Sequence, residues 1–294
     1  MVETLGSNPV PGAKSIYFTE NPVSIHATGF PLFLSSSSKR FILTFCYASS
    51  MEELVTYFLR ITPGLILITL VFLLLPRKQI AARIFLLILG FVLMRDTMTP
   101  MGFWNFAITE TALWIRFIDD ALILFILGGL STIAAFLLLQ IKELRALVKW
   151  GKIASWKTYL VGILGGVFVA VPFMLLGSFV PLEERGGVVA LSLVPALLFM
   201  AFAGNFLEEL IFRGFLQSHF EKLTNSIRAA ILSGLMFAVA HIFLASTVTN
   251  IGWPLLAFVA IEGLVCAFVY RKHGLISASI VHGLAIFMLA SGLF

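Results

Sequence analysis

Apolar and polar positions alternate in long blocks from residue 51 to the end of the chain, with short polar connections between the blocks. A helix needs about 20 apolar residues to cross the hydrocarbon core of a bilayer. Eight runs approach that length, and the second is marginal. They lie near 54–75, 79–95, 118–139, 158–181, 187–207, 228–246, 251–270 and 274–293. The pattern predicts an all-α polytopic transmembrane helix bundle of about eight spans.

Two stretches between the apolar runs predict surface elements. Residues 97–117 are semi-polar and contain Trp104 and Trp114, which favours an interfacial segment. Residues 140–157 interleave five lysine and arginine residues with leucine and tryptophan. This alternation predicts a basic amphipathic helix on the cytoplasmic surface.

The first fifty residues differ from the rest, with a four-serine run, scattered prolines and no apolar run near spanning length. We expect residues 1–50 to form an irregular N-terminal tail, either disordered or upstream of a natural start at Met51. Residues 51–157 are then the N-terminal spans with the amphipathic helix. Residues 158–294 form a helix bundle that carries the chemistry.

The composition supports this division and excludes several other classes. The chain has 294 residues, of which 60% are hydrophobic and 12% charged, whereas soluble domains carry about twice that charged fraction. The net charge of +5 is spread over short connections, so it does not indicate nucleic-acid binding. Cys46 and Cys266 are too far apart in sequence to suggest a disulfide framework or a cysteine metal site.

Basic residues in the predicted connections set the orientation. Connections 1–2, 3–4, 5–6 and 7–8 hold 13 of the 20 lysine and arginine residues, and the alternate connections hold 3. The positive-inside rule places the first set in the cytoplasm. Small residues are dense in the fourth span, at Gly162, Gly165, Gly166 and Ala170, and predict close helix packing there.

Glu208 and Glu209 lie at the end of the fifth span, four residues before Arg213. Charged residues near the apolar part of a membrane are costly and are functional suspects. Glu209 and Arg213 are spaced i, i+4 and can pair on one helix face, so Glu209 is expected to have a positioning role. Glu208 points about 100° away, and the sequence offers it no such partner. Glu208 is therefore the candidate general base. A solvated helix cap is the alternative.

Two histidines strengthen this interpretation. His241 and His282 lie within or near separate apolar spans, and imidazole can bind a metal or stabilise an oxyanion. Together with the glutamates they outline a three-helix site. Glu262, in the seventh span, is expected to face the bundle interior. Four other charged residues lie at span ends and are interpreted as interfacial charges: Arg95, Asp96, Asp119 and Asp120.

The ordered motifs Glu-Glu-x-x-x-Arg, Phe-x-x-x-His and a later His on successive spans resemble the CPBP (ABI) family. This family contains type II CAAX prenyl endopeptidases and bacteriocin-processing or self-immunity proteins. The similarity extends roughly over residues 158–293. The positions that match the motifs are Glu208, Glu209, Arg213, Phe237, His241 and His282. By resemblance, Glu208 activates water.

The chain departs from the family pattern at one position. Ile286 stands four residues after His282, where family members often have Asn. An apolar side chain cannot donate a hydrogen bond to an oxyanion. Asn205 precedes Glu208 by three residues, shares its helix face and is the candidate substitute donor.

The resemblance implies an intramembrane endopeptidase that hydrolyses a peptide bond with glutamate-activated water. It leaves the cofactor open: His241 and His282 hold a divalent metal such as zinc, or the mechanism is metal-free. The expected partners are a membrane-associated peptide or protein and the lipid bilayer. The expected location is the plasma (cell inner) membrane, with the site toward the cytoplasmic side. The alternatives are a non-catalytic immunity or scaffold protein, motivated by Ile286, and a transporter.

Overall fold

The computed structural model describes residues 36–108, 113–183, 185, 187–244 and 252–294. The chain divides into two compact units, Met1–Thr44 and Phe45–Phe294. In the first unit the described residues belong to the start of the first helix. Every other element described below lies in the second unit.

The described elements are helices with one β-hairpin between the second and third. The helices are α1 (Ser36–Leu74), α2 (Ile80–Met98), α3 (Ala121–Leu139), α4 (Lys142–Arg145), α5 (Trp156–Gly177), α6 (Val194–Glu209), α7 (Ser218–Leu223), α8 (Ser226–Ala240), α9 (Trp253–His273) and α10 (Leu275–Ser291). A π-helical segment, Leu210–Gln217, joins α6 to α7. The hairpin pairs β1 (Trp104–Ile108) with β2 (Leu113–Phe117). The predicted all-α helix bundle is confirmed.

Among the described residues, five helical stretches are long and apolar enough to cross a membrane. They are Met51–Leu74, Ala121–Leu139, Trp156–Gly177, Val194–Leu223 and Trp253–His273. Two predicted spans correspond to the shorter apolar helices Ser226–Ala240 and Leu275–Ser291. The marginal second run forms the 19-residue helix α2, which carries two arginines and an aspartate and is not one of the five.

Three local predictions need correction. Residues 36–50 belong to α1, so the predicted irregular tail does not extend to residue 50; residues 1–35 lie outside the described part. Within 140–157, the described helix before α5 is limited to the four residues of α4, and the predicted amphipathic helix does not form. Residues 97–117 contain the β-hairpin, whose strands are rich in the aromatic and β-branched residues that favour extended structure.

Arginine fixes the hairpin to the helix bundle. Arg116, on β2, donates hydrogen bonds to the backbone carbonyls of Ala290 at the end of α10 and of Gly187. The last carbonyls of a helix have no partner within the helix, so a guanidinium there satisfies an otherwise open acceptor. This contact holds β2 against the end of the helix that carries His282.

The small residues of α5 let it approach α10 closely, as predicted. A Cβ added at Gly165 would lie 2.6 Å from Val281 Cγ2, and one added at Gly166 would lie 2.9 Å from Leu284 Cβ. Contacts this short leave no room for a side chain. The close packing fixes the position of α10 and therefore of His282 on its opposite side.

The π-helical segment aligns two polar side chains with α9. Arg213 Nη2 donates to the Gly263 carbonyl at 2.8 Å, and Gln217 Nε2 donates to the Ala267 carbonyl at 2.9 Å. A π-helical turn is wider than an α-helical one and often marks a functional region. Here both bonds satisfy buried polar groups between the two helices.

Candidate active site

A small cavity lies where α2, α6, α9 and α10 meet beneath the hairpin. Its volume is about 50 Å³. One water molecule needs roughly 10–15 Å³ by the same measure, so the cavity holds a few. Its titratable lining residues are Arg95, Glu208, His241, Glu262 and His282.

Glu208 faces this cavity together with one arginine and one histidine, which we name the cavity group: Arg95, Glu208 and His241. Glu208 Oε1 accepts from the Arg95 guanidinium, and Glu208 Oε2 lies 3.6 Å from His241 Nε2. Glu208 is 4% exposed, and the arginine balances its charge. One carboxylate oxygen is thus occupied by the ion pair, and the other faces the histidine and the cavity.

The orientation of His241 follows from its second nitrogen. His241 Nδ1 lies 2.8 Å from the backbone carbonyl of Phe237. A carbonyl only accepts, so the ring donates from Nδ1. In the neutral ring, Nε2 then carries the lone pair and points toward Glu208 Oε2. Two acceptors 3.6 Å apart are suited to share the protons of a water molecule between them.

Glu209 belongs to a second set, the inner group: Arg213, Glu209 and His282. Glu209 Oε1 lies 2.8 Å from Arg213 Nη1 and 2.9 Å from His282 Nδ1. Glu209 and Arg213 are both fully buried. The predicted i, i+4 pair is confirmed. The ion pair also orients the imidazole, because a carboxylate can only accept the proton on Nδ1.

Phe237 explains why both groups occupy the same small volume. The Arg213 guanidinium carbon lies over the Phe237 ring, 4.3 Å from the ring centroid. The same ring lies 4.3 Å from the His241 ring and 5.5 Å from the His282 ring, centroid to centroid. Phe237 therefore separates and supports the two histidines. A cation over an aromatic face in an apolar environment contributes about 2 kcal/mol.

Glu262 reaches the cavity from α9. Its Oε2 lies 3.7 Å from His282 Nε2, and the residue is 2% exposed. Its Oε1 has no hydrogen-bond partner among the described residues. The expectation that Glu262 faces the bundle interior is confirmed.

Asn205 and Ile286 also line the cavity. Asn205 is 6% exposed, and its Nδ2 has no hydrogen-bond partner among the described residues. An amide donor in this position is available to an oxygen that enters the cavity. Ile286 adds only an apolar surface, so the departure from the family pattern lies in the site itself.

A larger, apolar cavity of about 210 Å³ lies on the other side of the Arg95–Glu208 pair. It is lined by α1, α2, α3 and α6, with Tyr57, Leu65 and Leu130 among its walls. Arg95 and Glu208 border both cavities. The ion pair therefore stands between a small polar space and a larger apolar one.

The predicted pair of metal ligands, His241 and His282, does not fall into one ligand group, and the choice between a metal and a metal-free site stays a prediction. Among the described residues, the group whose ligand atoms lie within 4.8 Å of one another is Glu209, Cys266 and His282, and His241 is not in it. The Arg213 guanidinium already holds Glu209, and His282 is hydrogen-bonded to the same oxygen. A cationic neighbour on the only carboxylate opposes a metal cation. The group is therefore better described as a buried ion-pair network.

The main residue missed from the sequence is Arg95. It was interpreted as an interfacial charge, but it is 7% exposed and ion-paired to Glu208. Its guanidinium also lies 5.3 Å from the Trp104 ring centroid. An arginine at the end of an apolar run is the one signal that pointed to it. Asp120, by contrast, caps α3 by accepting from the Leu122 and Ile123 amides, as a residue at a span end would.

Of three comparisons with known proteins, one finds a match. No curated protein and no solved structure matches the chain. Residues 190–288 match the family model described as type II CAAX prenyl endopeptidase Rce1-like. The matched segment includes both glutamates and both histidines of the site but not Arg95. The chain is an integral membrane protein whose residues 190–288 are similar to this family of type II CAAX prenyl endopeptidases.

Proposed function

We propose that the protein is an intramembrane endopeptidase that hydrolyses a peptide bond with water activated by Glu208. The observation that carries the proposal is the water-sized cavity bordered by a carboxylate oxygen and an imidazole nitrogen 3.6 Å apart. The family match supports peptide hydrolysis as the reaction.

In the proposed reaction, Glu208 Oε2 takes a proton from water while the water oxygen attacks the scissile carbonyl carbon. Arg95 holds the other carboxylate oxygen and keeps the base oriented. His241 Nε2 accepts a hydrogen bond from the other O–H of the water, and this bond fixes the direction of attack. A positioned general base of this kind contributes about 10²–10⁴-fold to the rate.

Attack on the carbonyl carbon places negative charge on the carbonyl oxygen. The Nδ2 of Asn205 is a buried donor without a described partner that faces the same cavity. We propose that it stabilises this oxyanion. Donors of this kind contribute about 10²–10³ in kcat.

The proposed mechanism uses no metal. Glu208 and Glu209 are each paired with a guanidinium, and a guanidinium beside a carboxylate supplies the positive charge that a metal would bring. Purified protein is expected to contain less than stoichiometric zinc by elemental analysis, and chelation should leave cleavage unchanged. One tightly bound metal per chain, with activity lost on its removal, would contradict this part of the proposal.

The proposed substrate is a membrane-associated peptide or protein. The support is the apolar cavity of about 210 Å³ that meets the Arg95–Glu208 pair from the membrane-embedded helices, because such a cavity accepts apolar parts of a chain. The bias of basic residues toward one set of connections supports an orientation with the site toward the cytoplasm. The proposed location is the plasma membrane.

The test compares the membrane proteomes of cells that carry the wild-type protein or Glu208→Gln. The expected result is a membrane peptide whose cleavage site disappears in the variant. Glu221→Gln is the matched control, because Glu221, on α7, pairs with Lys149 and does not line the cavity. Loss of the same site in the control, or its retention in both variants, would refute the assignment.

The second candidate function is a non-catalytic immunity or scaffold protein. The observation that favours it is Ile286, which presents an apolar surface to the cavity where family members often have a hydrogen-bonding residue. A scaffold would keep its cellular phenotype in Glu208→Gln. An endopeptidase would lose it.

A further inference from the structure

Glu262 is the one carboxylate at this site without an ion-pair partner of fixed positive charge among the described residues. Glu208 pairs with Arg95 and Glu209 with Arg213, whereas Glu262 faces only the His282 ring. Its second oxygen, Oε1, is buried without a described hydrogen-bond partner. A carboxyl group at this depth in a membrane protein is costly and indicates a function.

The cavity group, the inner group and Glu262 together carry one more negative than positive charge when all three carboxylates are ionised and both histidines are neutral. Three carboxylates face two guanidinium groups, Arg95 and Arg213. The His241 ring, which gives Nδ1 to a carbonyl, adds no charge when neutral. Uncompensated buried charge is strongly unfavourable. One proton held by Glu262 and His282 together makes the buried set neutral.

The geometry of His282 locates that proton at the cavity. His282 Nδ1 is committed to Glu209, so Nε2 is the nitrogen that faces Glu262 Oε2 at 3.7 Å. The shared proton therefore lies between Nε2 and the Glu262 carboxyl, and both side chains line the cavity that Glu208 faces. The Glu262–His282 separation is longer than a hydrogen bond, as catalytic contacts often are before substrate binds.

We propose that Glu262 is the general acid that protonates the departing amine in the reaction proposed above, on which this assignment rests. After Glu208 has taken one proton from water, the hydroxyl oxygen bonds to the carbonyl carbon. When the C–N bond breaks, its electron pair stays on nitrogen, which receives the proton from Glu262. The Glu262 carboxylate then faces His282. The proton on Glu208 returns to Glu262 through cavity water, so the cycle consumes one water and yields one acid and one amine.

The assignment gives each of the three glutamates a separate task. Glu208 removes a proton from water, Glu262 delivers one to nitrogen, and Glu209 orients His282 without contacting the substrate. Two carboxyl groups in different environments are suited to act as base and acid in one site. The same arrangement gives His282 a use that does not require a metal.

The test uses the peptide whose cleavage is lost in Glu208→Gln membranes, synthesised with either an amide or an ester at the scissile bond. An alcohol leaves much more readily than an amine, so ester cleavage depends little on a general acid. Glu262→Gln is expected to lower kcat for the amide by about 10²-fold or more. The same substitution should lower kcat for the ester by less than about tenfold. Glu262→Asp, which keeps the acid, should recover part of the amide cleavage.

The ratio of ester to amide cleavage is independent of how much of a variant is folded. A ratio that rises at least about tenfold in Glu262→Gln supports the general acid. An unchanged ratio overturns it, whether the two rates fall together or neither falls. Glu208→Gln should abolish cleavage of both the amide and the ester, so its ester-to-amide ratio should not rise. Cleavage of neither substrate by the wild-type protein would overturn the proposed function itself, and the Glu262 assignment with it.

Discussion

The cavity group and the inner group contain the same three residue types in different surroundings. Each has one glutamate, one arginine and one histidine, and the two glutamates are neighbours in sequence. In the inner group the arginine is four residues away, in the π-helical segment that continues α6, and both charged side chains are fully buried. In the cavity group the arginine is 113 residues away, and the three side chains border a space large enough for water.

The difference shows how one helix gives two adjacent carboxylates separate roles. Consecutive residues on a helix point about 100° apart, so Glu208 turns toward α2 and the cavity while Glu209 turns toward α10. The local partner, Arg213, stabilises the carboxylate that does not meet water. The distant partner, Arg95, leaves one oxygen of Glu208 free to act. Local pairing thus accompanies a structural role, and long-range pairing a chemical one.

Removal of each arginine in turn is expected to give the largest difference between the two groups. Arg213→Met leaves Glu209 buried without compensation and is expected to destabilise the protein by about 3–5 kcal/mol. Arg95→Met should destabilise it less, because water in the adjacent cavity can solvate Glu208, but should reduce cleavage more per folded molecule. Thermal unfolding and peptide cleavage, both measured on detergent-purified protein, separate the two effects.

The double variant Glu209→Gln/Arg213→Met is the control for the inner group. Removal of both charges should restore part of the lost stability, since no unpaired charge remains. Equal destabilisation by Arg95→Met and Arg213→Met would show that the cavity does not solvate Glu208, and the proposed division of roles would fail.

The close packing of α5 against α10, which positions His282 of the inner group, gives a second test with a smaller expected effect. Gly166→Ala adds a methyl group 2.9 Å from Leu284 Cβ and 2.9 Å from the Val281 carbonyl oxygen on α10. We expect a loss of about 1–3 kcal/mol with a parallel loss of cleavage, because α10 carries His282. Gly129→Ala is the matched control, since nothing lies within 4 Å of its added Cβ; thermal unfolding should show no loss there.

The smallest expected effect concerns Ile286. Ile286→Asn adds a hydrogen-bond donor to the wall of the small cavity, but Asn205 already offers an amide donor there. Cleavage should therefore rise by less than about tenfold, well below the 10²–10³ attributed to a single oxyanion donor. Ile286→Leu, which stays apolar, should leave the rate unchanged. A rise of 10² or more in the asparagine variant would mean that Asn205 does not serve the oxyanion.

Much of the bundle could be predicted because apolar runs and small-residue faces are local signals. The pairing of Glu209 with Arg213 followed from helical spacing alone. Arg95 could not be predicted, because no local rule brings residues 113 positions apart together. The hairpin was missed since aromatic residues at a membrane interface occur in helices and strands alike. The prediction of an amphipathic helix was wrong because a basic, alternating pattern favours a helix without excluding turns.

The two hydrogen bonds from the π-helical segment to α9 restrict how the bundle can move. Arg213 and Gln217 are four residues apart, and so are their acceptors, Gly263 and Ala267. A slide of one helix past the other by a single residue would break both bonds, and a slide by a full turn of about 5.4 Å would leave only one. In a bilayer of different thickness the unit must therefore tilt as a whole, or the bilayer must deform around it, so the position of Glu208 along the helices is a fixed property of the fold.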